Sequence, residues 1–196
     1  MRNKRLARLV VVSALISATV GGFSTPANAY LLLGCQYQGA SLKWGDYTTT
    51  QGYLTAATNS AAAWTNTSTL VVFTKTTTGN NVRIADGNFG NVGFDGVTLN
   101  LQQQDPVTYS CSSGHWTETL VTWWNTYYTD SYGSSERQSV MVHELGHALG
   151  LDDIHHAPPP PCTGIPIMQG DTATRWVSCG LTTPQSDDVN GVNFLY

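Results

Sequence analysis

The sequence predicts an α+β domain, and three observations predict it. Apolar residues recur at helical spacing in three well-separated segments. Short β-rich runs lie between the first two of them, and the resulting order is helix, strands, helix, long loop, helix. After a short N-terminal stretch, Leu42-Lys43-Trp44 reads as a strand. Residues 51–66 read as a helix, because Leu54, Ala57, Ala61 and Trp64 fall on one stripe. Leu70 to Phe73 is expected as a buried strand, and Val82 to Ala85 as another. A glycine-rich loop runs from Asp86 to Gly96, and Val97, Leu99 and Leu101 then alternate as a further strand. Thr119 to Tyr128 is dense in β-formers and is expected as strand. A helix should start near Ser134 or Ser135, with Ser135 and Gln138 as a capping box, and run to Leu149, where Gly150 breaks it. A last helix is expected to open at Thr183-Pro184, with Val189, Val192 and Leu195 as its stripe.

Composition narrows the function. Hydrophobic residues make up 41% of the 196 and charged residues only 11%, while Thr, Ser, Asn and Gly are plentiful. That excludes a coiled coil, a charged disordered chain and a basic nucleic-acid binder. Residues 1–29 differ from the rest. A basic head of Arg2, Lys4, Arg5 and Arg8 precedes an apolar run from Leu9 to about Val20, and Ala27-Asn28-Ala29 offers a small-x-small cleavage site. This is the pattern of a secretory signal peptide, followed by a single domain over 30–196. Removing 1–29 takes away four of the nine basic residues and none of the thirteen acidic ones, so the remainder carries −8 with histidine neutral. The mature chain is expected to be extracellular and monomeric, with no nucleic-acid partner and no stable membrane association.

Four cysteines remain, Cys35, Cys111, Cys162 and Cys179. An even count in an exported chain points to two disulfides. Three pairings exist; a local Cys162–Cys179 staple with a long-range Cys35–Cys111 tie is the expected one. No pair has the C-x-x-C spacing of a cysteine zinc site. No internal repeat is visible, and Pro158 to Pro161 forces an extended loop.

The chemistry concentrates in residues 143–153, His-Glu-Leu-Gly-His-Ala-Leu-Gly-Leu-Asp-Asp. His143 and His147 are four apart on a helix and so share a face, where both can reach one Zn²⁺. Glu144 sits beside that metal and can take a proton from a water upon it. A catalytic zinc needs a third ligand, and Gly150 lets the chain turn back sharply to supply one. Asp153 is the natural candidate; Asp152, His155 and His156 lie in the same window. Two histidines on a helix are often a mere surface pair. Here Glu144 lies between them, and four of the five histidines fall within residues 143–156.

These residues resemble the H-E-x-x-H-x-x-G-x-x-[H/D] signature of the metzincin zinc endopeptidases. Met168, the one methionine downstream of the helix, resembles that clan's Met-turn. The similarity is greatest to matrixin catalytic domains and extends over residues 42–196: Leu42-Lys43-Trp44, Ala61 to Trp64 with Leu70 to Phe73, Gln138 to Leu151 and Leu181 to Tyr196. An aspartate in the third-ligand place is shared with snapalysins, although His155 stands where they carry tyrosine. The resemblance implies a twisted mixed sheet, an active-site helix, a Met-turn loop and a C-terminal helix. It implies a secreted zinc endopeptidase in which His143, His147 and Asp153 hold the metal and Glu144 is the base, with His155 and His156 as accessory residues. An extended peptide or protein substrate would lie along an edge strand near Gly93 to Leu99, and the loop from His155 to Ile167 would shape the pocket beyond the cut bond. Gly93-Phe94-Asp95-Gly96 also resembles part of a matrixin metal loop, and Asp86 and Asn88 offer further oxygens for Ca²⁺. No inhibitory pro-segment motif separates Ala29 from Cys35, which implies either none or latency imposed by another protein. Two other classes compete: a non-catalytic, zinc-stabilised extracellular binding module, and a structural surface protein suggested by the Thr/Ser/Asn content.

Overall fold

The computed structural model describes residues 30–101, 110–155 and 162–196. The expected leader over 1–29, the proline run and His156 lie outside the described residues. In chain order the elements are β1 (Leu31–Leu32), β2 (Ser41–Tyr47), α1 (Gln51–Thr65), β3 (Val72–Lys75), β4 (Val82–Gly87) and β5 (Gly96–Asn100). There follow β6 (Cys111–Ser112), β7 (His115–Trp116), β8 (Leu120–Asn125), α2 (Thr126–Thr129), α3 (Ser134–Leu149), β9 (Leu151–Asp152), a π-helical stretch (Ala173–Ser178) and α4 (Ser186–Leu195). The main sheet has the order β3-β2-β4-β8-β5, parallel except for β5, which runs antiparallel to β8 at one edge. The fold is therefore α+β with a mixed five-stranded sheet. Both predicted disulfides, Cys35–Cys111 and Cys162–Cys179, are present.

From Ser139 to Leu149 every residue of α3 but His147 is buried, the polar Ser139, His143 and Glu144 included, so this is the central helix of the fold. Three tryptophans from different elements pin it. The indole N–H groups of Trp124, Trp64 and Trp116 donate to the carbonyls of Arg137, Val142 and Ala148, each at 2.9 Å. Each bond both satisfies a buried donor and sets the height of α3 against the sheet and α1.

Several elements depart from expectation. β3 begins at Val72, not Leu70, and as an edge strand it leaves Leu70 and Val72 exposed. β8 stops at Asn125. Its side chain accepts from Tyr127 and Phe89 N–H and donates to the carbonyls of Gly90 and Phe94, ending the strand and opening α2. The Ser135–Gln138 capping box does not form. Gly133 is the N-cap of α3, and the Gln138 amide reaches Thr182 O instead. α4 starts later than Thr183-Pro184, capped reciprocally by Gln185 and Asp188. In β5 the alternation of Val97 and Leu99 marks a strand, yet the buried residues are the polar Thr98 and Asn100.

Asp188 carries the link from α4 to the centre of the molecule. It is 1% exposed and accepts from the N–H groups of Ile167 (2.7 Å), Met168 (3.1 Å) and Gln185 (2.7 Å). Burial raises its pKa to about 6, against the pull of those three N–H groups. A folded value above the unfolded one means that the native state binds the proton more tightly between about pH 4 and 6, so stability falls as pH rises through that window. The wild type is expected to lose on the order of 3 kcal/mol relative to Asp188→Asn across it. Urea midpoints of the two proteins at several pH values measure this; a constant difference would refute it.

Candidate metal centre

The helix α3 sets His143 and His147 one turn apart, with ring centroids 4.7 Å apart and planes at 84°. Each ring is oriented by a backbone carbonyl. His143 Nδ1 lies 3.0 Å from Ile167 O, and His147 Nδ1 lies 2.9 Å from Leu151 O. A carbonyl can only accept, so both rings carry their proton on Nδ1 and present a bare Nε2. Burial, then the charge of Arg175, pushes the His143 pKa down to about 3, which keeps that ring neutral. The two Nε2 atoms stand 3.1 Å apart, and neither has a proton to share.

The chain reaches the third group through a forced turn. Gly150 ends α3 at φ 107, and a Cβ there would come within 2.3 Å of Cys35 O. β9 then pairs with β1, Leu31 opposite Asp152. On the other side Ile154 N–H donates to Met168 O at 2.8 Å, and Gly170 N–H to Ile154 O at 3.0 Å. Held from both sides, Asp153 places Oδ1 3.2 Å from His143 Nε2 and 3.6 Å from His147 Nε2. This oxygen is buried and no donor reaches it among the described residues. Three acceptors facing one another with nothing to donate is a costly arrangement alone and a good one around a cation. Two imidazoles and a carboxylate are a donor set suited to zinc, so the residues fit the implied ion.

Glu144 is the other acidic neighbour. Ligand-capable atoms of His143, Glu144 and His147 all lie within 4.8 Å of one another. Its Oε2 is engaged by Thr98 Oγ1 at 2.8 Å, while Asp153 Oδ1, 3.2 and 3.6 Å from the two Nε2 atoms, is met by no donor among the described residues, so Asp153 suits the ligand place better. Burial raises the Glu144 pKa to about 7. β5 passes so close that a Cβ on Gly96 would stand 2.6 Å from Glu144 Oε1. Met168 is buried beneath α3, and a Cβ on Gly146 would meet its sulfur at 2.3 Å. His155 is exposed, with its ring over Gly170.

The side-chain oxygens of the glycine-rich loop, those expected to hold Ca²⁺ among them, accept from protein donors. Asp86 accepts from Thr49 N–H and Oγ1, Asn88 from Gly90 N–H, Asn91 from the Tyr128 hydroxyl and Asp95 from the Tyr132 hydroxyl at 3.3 Å. Asn125 ties this loop together through Phe89, Gly90 and Phe94. A cleft of about 620 Å³ runs past the histidines. One rim is Gly93 to Leu99. Gly170 to Ala173 and Arg175 also line it; of the 155–167 loop expected to shape it, residues 156–161 lie outside the described residues. Thr98, Asp188 and Arg175 were not singled out for this region by the sequence; Arg175 is one of only five basic residues after residue 29.

No family model matches this chain, and no curated protein matches it. Among solved structures, one of myroilysin is similar at a TM-score of 0.43 and 21% identity, covering 63% of this chain and 54% of that one. A second structure of myroilysin has the same TM-score and 19% identity, covering 77% of this chain and 66% of the other. The chain thus spans between about half and two thirds of the structures it resembles.

Proposed function

We propose that this chain is a secreted zinc endopeptidase of metzincin type, matrixin-like with an aspartate as third ligand. The observation that carries the reading is the orphaned Asp153 Oδ1 facing two proton-free Nε2 atoms. His143, His147 and Asp153 would hold the ion. Bound there, zinc would supply Lewis acidity toward a peptide carbonyl and toward water. Glu144, buried and raised toward neutrality, takes a proton from the attacking water at its carboxylate and returns it to the leaving amine. Thr98 keeps that carboxylate in place. Met168 forms the floor below the histidines without touching the reacting atoms. An extended peptide lies along the outer edge of β5, the end strand of the sheet, and adds to it. Two disulfides suit the oxidising surroundings of an exported protein. No helix among the described residues is long and apolar enough to cross a membrane.

The purified mature protein is expected to carry one zinc per chain and to hydrolyse casein. Chelation should bring the rate to background, and returning zinc should restore it. A zinc-loaded protein without any activity would instead fit the non-catalytic binding module. Absence of bound zinc would overturn both.

A further inference from the structure

We propose that Arg175 makes the cleft selective for substrates with an acidic side chain next to the scissile bond. This inference rests on the peptidase reading of the site. Arg175 is 1% exposed, yet it lines the cleft. It rises from the π-helical stretch Ala173–Ser178 and reaches α3 at Ser139, one turn before His143. Among the described residues its hydrogen-bond partners are neutral: Ser139 Oγ from Nε at 3.3 Å, Gln169 O from Nη1 at 2.5 Å and Thr172 Oγ1 from Nη2 at 2.7 Å. Those contacts use one N–H each, which leaves one on Nη1 and one on Nη2, the two nitrogens that a carboxylate can engage together. Among the described residues no carboxylate forms an ion pair with it.

A guanidinium buried against neutral dipoles lacks the counter-charge that burial demands. The carboxylates that act on it do so from farther away, Asp95 first, then Glu144, Asp153 and Asp171. Each has other work. Asp95 accepts from Tyr132, and exposed Asp171 accepts from Thr174 N–H and Oγ1 and from Ala173 N–H. Glu144 and Asp153 belong to the proposed catalytic centre. A substrate carboxylate entering beside Arg175 gains a charge-assisted fork in a place water screens poorly, whereas a lysine there meets a like charge. An apolar side chain leaves the guanidinium as it was.

The test uses quenched-fluorescence peptides with Asp, Glu, Asn, Leu or Lys at each of the two positions flanking the cut bond, with cut sites located by mass spectrometry. At one of those positions the wild type is expected to prefer Asp or Glu over Asn by at least about tenfold in kcat/KM, the scale of a charge-assisted hydrogen bond, and to disfavour Lys. Arg175→Gln should erase the Asp-over-Asn ratio and Arg175→Lys should keep part of it. If Arg175→Gln does not fold, the wild-type ratio and the Lys variant still decide. Cleavage without acidic preference, or a preference unchanged in Arg175→Gln, overturns the proposal and leaves the peptidase reading standing. A zinc-loaded protein that cuts no peptide overturns both.

Discussion

Glu144→Gln is expected to lower kcat by about 10²–10⁴-fold while the zinc content stays at the wild-type level. Gln keeps the volume of the side chain and can still accept from Thr98, whose hydroxyl stands 2.8 Å from Oε2. What it loses is the capacity to take a proton. That capacity is well matched to neutral conditions, because burial has brought the carboxyl to about 7, and a base is most useful when its pKa lies near the working pH. The effect should therefore fall on turnover, with KM little changed. Equal activity in the two proteins would remove Glu144 from the mechanism. Loss of zinc together with activity would show that its role is to hold the metal.

Asp153→Ala should act on the metal itself. A histidine's outer-shell partner typically costs about 10–100-fold in metal affinity when removed, and loss of a direct ligand should exceed that. The geometry makes the variant informative, since Asp153 Oδ1 is the atom that completes the triangle with the two Nε2 atoms. Competition with a zinc-sensitive dye measures the change. His156→Ala is expected to leave affinity near the wild-type value. The reverse pattern would transfer the third-ligand place to His156.

The legible parts of this centre are those written locally in the chain. Two histidines four apart on an apolar helix must share a face, and a glycine at the helix end licenses the turn that follows, so α3, Gly150 and the return of the chain could be read directly. What escaped was non-local or polar. Thr98 and Asn100 are buried because β5 lies over a polar centre, so hydrophobic alternation marked the strand but not its inner face. Arg175 meets Ser139 across 36 residues, and Asp188 meets Ile167 across 21. No periodicity marks such contacts. The order of the glycine-rich loop escaped similarly: Asn125, outside that loop, supplies the bonds that organise it.

The tie between Cys35 and Cys111 spans 76 residues, and a crosslink of that reach is worth about 4–5 kcal/mol in the chain-entropy account. It also anchors the strap that begins at β1, whose other neighbour is the strand leading into Asp153. A chain folded under reducing conditions would lack that anchor, and the carboxylate would ride on a loosened support. Redox state thus bears on whether the His143–His147–Asp153 site is fully assembled, and a glutathione-rich interior favours the unfinished form.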